Sequence, residues 1–129
     1  MRFMMLMIPK GYANAAADCM PSAEAVAAMM KYNQAMKDAG VLLSCEGLHP
    51  PAKSARVAFA DGKSTVMHGP FRTPEALGGY WMIQVKSLDE AIAWTKRCPV
   101  GHDAVIEIRQ VQEFEDFPAD VQKAAGGLR

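Results

Sequence analysis

SARVAFADGKSTVMH, residues 54–68, is the stretch on which the fold assignment turns. Asp61-Gly62 is the preferred two-residue loop of a tight hairpin, with strand-forming residues on either side. That loop pairs Phe59 with Ser64, Val57 with Val66 and Ala55 with His68. Side chains alternate along each strand, so His68 shares a face with Val57, Phe59 and Val66, the apolar side of the hairpin. A hairpin that closes on itself counts as an insertion, and the elements around it then have to make a fold without it.

Upstream, residues 2–8 read as a first strand ended by Pro9, and 9–20 as a loop. PSAEAVAAMMKYNQAMKDAG, residues 21–40, has the marks of a helix: Ser22 as N-cap, Glu24 at the positive end of the dipole, Lys37 at the negative end and Gly40 as the stop. Val26, Met29, Met30 and Met36 recur at helical spacing and predict a buried stripe. Asn33 falls on the same side, either as a structural amide bonded to a neighbouring backbone group or as a polar group lining a pocket. Residues 41–48 form a second strand, closed by His49-Pro50-Pro51. Downstream, GYWMIQV, 79–85, is another strand. SLDEAIAWTKRCP, 87–99, is a second helix with a Ser87/Glu90 capping box and an inner face of Leu88, Ala91, Ile92 and Thr95. AVIEIRQV, 104–111, is the last strand. Residues 1–111 read as one domain and 112–129 as a C-terminal tail, loose at its AAGGLR end.

Without the hairpin the order is β-α-β followed by β-α-β. This is the ferredoxin-like α+β arrangement (βαββαβ with an inserted β-hairpin): an antiparallel sheet with both helices on one face. The strands are apolar or mixed on both sides, Phe3, Met5 and Met7 against Met4, Leu6 and Ile8, and Trp81, Ile83 and Val85 against Tyr80, Met82 and Gln84. A sheet with one wet face should alternate more cleanly, so the pattern predicts a homodimer that packs two sheets together.

Composition narrows the function. The chain has 129 residues, a formal net charge of zero and half its residues apolar. Basic residues are scattered among acids, with no stripe of the kind a nucleic-acid binder carries. The apolar run Phe3–Ile8 is too short for a membrane span or an export core. The three cysteines, Cys19, Cys45 and Cys98, make no CxxC pair, which argues against a zinc or redox pair and for buried, reduced thiols in the cytoplasm. The three histidines lack helix-type spacing, so no metal site is proposed, and no glycine-rich phosphate loop or other cofactor motif is present.

His68 is the candidate acid–base residue, since an imidazole exchanges protons near neutral pH. His49 could approach the same region, while His102 reads as surface. Glu46, Tyr80, Gln84, Glu107 and Arg109 fall on one face among apolar residues. They either line a pocket, with Glu46, His49, Tyr80, Arg109 and Asn33 as binding candidates, or form ion pairs at a dimer seam.

Four segments, AGVLLSCEGLHPPAKSARVAF, GPFRTPEALGGYWMIQVKSLDEAIAWTKRCP, IEIRQVQEFEDF and the opening MMLM, resemble the YCII-related proteins, most closely the branch known as DGPF-domain proteins. The resemblance runs in order through most of the chain and is weakest over 9–20. It implies a ferredoxin-like fold that dimerises into an α/β barrel. For some members it implies lyase or isomerase chemistry on muconate-type compounds, with a His–Asp pair as the acid–base centre. It also implies, for some, a regulatory setting beside extracytoplasmic-function sigma factors. The helix histidine of that pair would fall at or near Met29, so the pair does not carry over. The first residue of the Asp-Gly-Pro-Phe signature is His68 here, followed by the matching Gly69, Pro70 and Phe71. Two functions stay open: a small-molecule binder or enzyme using His68, or a non-catalytic regulatory protein whose tail contacts a partner such as a sigma factor.

Overall fold

The protein is described by a computed structural model that covers all residues except Arg72, Pro74 and 127–129. Among the described residues six strands and three α-helices follow one another: β1 (Arg2–Pro9), α1 (Ala23–Asp38), β2 (Leu42–Gly47), β3 (Ala55–Ala60), β4 (Lys63–His68), β5 (Gly79–Gln84), α2 (Leu88–Lys96), β6 (Ala104–Gln110) and α3 (Ala119–Ala125). Four strands form one sheet in the order β2-β5-β1-β6, and every neighbouring pair is antiparallel. A split β-α-β pair on each side gives this order, so the sheet has the strand order and helix placement of a ferredoxin-like fold. β3 and β4 pair only with each other, as a separate two-stranded sheet. The expected hairpin register holds throughout, including Ala55 opposite His68, and Asp61 and Gly62 take φ of 52° and 74° at its turn.

The helix ends follow their capping residues. Ser22 Oγ accepts from the Ala25 N–H at 3.1 Å, and Gly40 closes α1 in the left-handed region at φ 73°. Ser87 Oγ likewise accepts from Glu90 N–H, but the Glu90 carboxylate reaches back to the Lys86 N–H, one residue before the cap, so only half of the expected box forms.

One face of the sheet carries the core. Phe3, Met5 and Met7 of β1 and Trp81, Ile83 and Val85 pack against Tyr32 and Met36 of α1 and Ala91 of α2, placing both helices on that side. Each fully buried side chain of this size contributes about 1.5–3 kcal/mol from water removal, which fixes the sheet–helix layer. Two helix faces differ from expectation. On α1 the deepest residues are Tyr32 and Met36, with Met29 packed beside them, while Val26 and Met30 are exposed. On α2 the inner residues are Ala91, Trp94 and Thr95, and Leu88 and Ile92 face outward. On α1 the aromatic Tyr32 is buried in the core, and on α2 Ala91 is fully buried with Trp94 packed beside it, so each helix turns a different face inward. Counting methionine and leucine spacing alone hides this shift.

The register of β2 slips between Leu42 and Ser44. The bulge moves Leu42 to the helix side, with Cys45, and leaves Ser44 and Glu46 on the open side. Gly78 and Gly79 sit where three segments crowd together. Gly78 N–H donates to Met7 and its carbonyl accepts from Leu48 N–H, and a Cβ on Gly79 would lie 2.7 Å from the Glu46 carbonyl oxygen. The tail is folded where described. Arg2 makes a bidentate pair with Glu113 at 2.7 and 3.0 Å, a 3-10 turn covers Phe114–Asp116, and Ala124 and Ala125 belong to α3. The rest of the expected loose end, 127–129, lies outside the described residues.

Candidate functional site

α1 crosses the sheet beside its edge strand β2 and leaves a groove of about 540 Å³ between them. Met7, Met29, Met30, Leu42, Cys45 and Trp81 supply its apolar wall. This is the size range of small-molecule pockets, which are mostly apolar with a few placed polar groups. Its centre is held by an aromatic frame. Tyr32 meets Trp81 edge-on with ring centroids 6.1 Å apart, and the Tyr32 hydroxyl donates to the Trp94 carbonyl at 2.7 Å. Burial raises the Tyr32 phenol above its ordinary range, so the hydroxyl stays protonated and keeps that bond.

Asn33 is one of the polar residues that line this groove. Its side chain accepts the Trp81 indole N–H at 2.7 Å. The sequence pattern left Asn33 either structural or pocket-lining, and the fold gives it both positions at once: it bonds a side chain of the core and borders the groove. Gln34 and Lys37 extend the polar border. Cys45, on the floor, has its thiol pushed up chiefly by burial, with the nearby Glu46 carboxylate acting in the same direction, and is therefore no ready nucleophile.

The remaining candidates separate into two places. Glu46, Tyr80 and Glu107 lie in one cross-strand row through Leu6, and Arg109 stands in the next row beside Met4, all on the face opposite the helices. Glu107 and Arg109 form an exposed ion pair at 3.2 Å. The same face carries Met4, Leu6, Ile8 and Met82, none fully buried, and Val105, 59% exposed. Glu46 and Tyr80 also border the groove, because β2 is the sheet edge and separates the two faces there.

His68 stands elsewhere. It ends β4 on the hairpin, whose twelve strand residues are all exposed, so the apolar face expected to enclose the ring is open in the single chain. His49 is exposed beside the buried Pro50, and neither ring bonds the other. The two histidines flank one joint, in which Gly69 N–H donates to Ser54 and the Ser54 hydroxyl to the Pro51 carbonyl. His102 is exposed, with Nδ1 3.0 Å from the Asp103 carbonyl, and borders a shallow hollow at the end of α2 with Thr95, Cys98 and Ile106. Sequence reasoning did not find that hollow, since its residues come from two elements joined only in the fold. Burial lifts the Cys98 thiol to about 11, while Cys19 is exposed, contrary to the expectation that all the thiols are buried. Among the described residues no three His, Cys, Asp or Glu side chains converge as a metal site, and no helix is long and apolar enough to cross a membrane.

The family model for the YCII-related domain matches residues 1–115. The chain belongs to the YCII-related family. No curated protein matches it. The matched region holds the whole four-stranded sheet, the hairpin, α1 and α2 of this YCII-related protein, and the groove lies entirely within it.

Proposed function

We propose that this YCII-related chain binds a small organic compound in the groove between α1 and the β2–β5 edge. The observation that carries the reading is the Trp81–Asn33 bond, which holds a polar amide in the wall of the groove beside Met29, Met30 and Leu42. Met29 lines the same groove, and by the resemblance it is near the position at which relatives carry an acid–base histidine. With methionine there, the groove offers binding and orientation but no imidazole of its own. Titration of ligands followed by Trp81 fluorescence, in a Trp94→Phe background, tests this: a saturable change abolished by Met29→Trp, which fills the groove, is the expected result. A flat response across small acids, alcohols and amides defeats it.

Two finer parts of the proposal have their own support. The open sheet face, with Met4, Leu6, Ile8, Met82 and Val105, supports a homodimer of the face-to-face barrel type, and a monomer by light scattering at micromolar concentration contradicts it. Acid–base (lyase- or isomerase-like) turnover by His68 rests on the chemistry of the ring and its place in the Gly-Pro-Phe signature of the DGPF branch. His68→Ala should abolish turnover and leave the oligomer intact, and unchanged turnover removes the residue from the mechanism. Free thiols support a reducing, cytoplasmic setting.

A second reading, a regulatory protein paired with an extracytoplasmic-function sigma factor, draws on the exposed Val57, Phe59 and Val66 of the hairpin. Co-purification with the tagged sigma factor, lost in Phe59→Ser, supports it, and failure to co-purify removes it.

A further inference from the structure

The Trp81–Asn33 bond fixes more than the packing of two side chains. An indole N–H only donates, so the amide atom 2.7 Å from it has to be the oxygen, Asn33 Oδ1, whatever the orientation of the rest. The NH₂ end is thereby turned the other way. Among the described residues its one bond is to the Met30 sulfur at 3.9 Å, and a thioether is a weak acceptor. Asn33 thus presents the groove with an amide donor that no oxygen satisfies among the described residues.

The neighbouring groups give the same sign. Lys37 lies four residues on, hence on the same helix face, and its ammonium makes no ion pair among the described residues. Gln34 already spends its amide N–H on Asp38 Oδ1 at 2.8 Å. The one carboxylate that borders the groove, Glu46, pairs across the strand with Tyr80 on the open sheet face, the side opposite Cys45 and Trp81. The α1 side of the groove is therefore donor-rich, with Lys37 as its cation and Glu46 across from it at the strand edge, and the remainder is methionine, leucine, cysteine, Tyr80, the indole and three glycines.

We propose that the groove takes a small monocarboxylate with an apolar body, the Asn33 NH₂ and the Lys37 ammonium holding the carboxylate while Met7, Met29, Leu42 and Trp81 hold the body. This rests on the reading that the groove is a small-molecule site, and it adds which end of the ligand goes where. Lipophilic acids without further polar groups fit, since the inner wall has no second donor to satisfy them. Asn33 is the specificity residue in this scheme, acting by the direction in which Trp81 holds its amide.

The test uses the full chain with methyl-labelled methionine, titrated with hexanoate and benzoate and with the matched neutral probes hexan-1-ol and benzyl alcohol. The expected result is movement of the Met7 and Met29 methyl signals, with the acids binding at least about tenfold more tightly than the alcohols, as hydrogen bonds to a charged group imply. Asn33→Asp keeps an acceptor for the Trp81 N–H but replaces the donor with negative charge. It should weaken acid binding by about tenfold or more, leave the alcohols unchanged and retain the Trp81 indole N–H resonance in its bonded position. Lys37→Met should weaken the acids several-fold. Alcohols binding as tightly as acids, or Asn33→Asp leaving acid affinity unchanged, overturns the carboxylate assignment while the groove itself stands. If neither class of probe moves the methionine signals, the small-molecule reading falls, and this assignment with it.

Discussion

In the four-stranded sheet Phe3 and Ile83 are 2% and 0% exposed, whereas on the β3–β4 hairpin Val57, Phe59 and Val66 stand at 50%, 81% and 58%. Both regions obey the same alternation and pairing rules, and the hairpin register was readable in advance. What separates them is the layer above. The sheet has two helices to bury its apolar face, while the hairpin has none within the chain. Strand chemistry specifies pairing, and burial depends on what the topology brings over it. An isolated two-stranded ribbon is marginal by itself, so the hairpin depends on its base, where Gly69 and Ser54 lock onto Pro51.

The contrast can be broken most directly by truncating one residue on each side of it. Ile83→Ala should cost about 2–5 kcal/mol, because it opens a cavity in a wall that cannot collapse, and urea unfolding measures it. Gly79→Ala should follow at about 1–3 kcal/mol, as the added methyl forces β2 and β5 apart at the Glu46 carbonyl, with loss of amide protection along that pair as the readout. Asn33→Leu, at the groove between the two environments, should cost about 1–3 kcal/mol by leaving the buried indole N–H of Trp81 without its acceptor. Phe59→Ala, on the hairpin, should change the stability of the single chain by less than about 0.5 kcal/mol. A loss comparable to that of Ile83→Ala would show that the hairpin is covered in solution, and its concentration dependence would identify a second copy as the cover.

The smallest expected effect concerns thiols. The folded chain holds the Cys98 proton up to about 11 against an ordinary value of 9.0, because burial disfavours the thiolate. The unfolded chain therefore loses that proton first, and stability declines as pH rises from about 9 through about 11, most visibly against a Cys98→Ser variant with a flatter profile. At neutral pH iodoacetamide should modify exposed Cys19 well before Cys98.

The order of β1 to β6 with α1 and α2, both helix N-caps, the hairpin register and the two-faced character of the sheet were legible in the sequence, because each depends on neighbours a few residues apart. Other features were not, among them the tail helix α3. The rotation of α1 toward Tyr32 and the exposure of Val26 and Met30 depend on Trp81, far along the chain, which meets Tyr32 edge-on. The bulge that moves Leu42 across β2 leaves no local mark in LLSCEG. Of the site candidates, Asn33 was singled out as an odd polar residue on an apolar side, and its partner is an indole and not the expected backbone group. Glu46, Tyr80, Glu107 and Arg109 were placed on one face by alternation alone. His68 was given its register correctly, yet nothing in a single strand pair shows whether its apolar side will be covered.

The Gly-Pro-Phe stretch has one further consequence. A side chain on Gly69 would collide with the Pro51 carbonyl, and Phe71 lies under the Arg56 guanidinium, 4.2 Å from its ring. Both residues are therefore dictated by the joint that attaches the hairpin to the body. Position 68, the next residue back, meets no such constraint: its ring is exposed and makes no hydrogen bond among the described residues. A stretch of this kind works as a hinge plate, in which the fasteners, Gly69 and Phe71, are fixed by the joint and the fitting mounted beside them is not. Finding it in another chain would forecast a projecting hairpin there, and would say nothing by itself about whether the residue in front of the glycine is an acid, a base or neither.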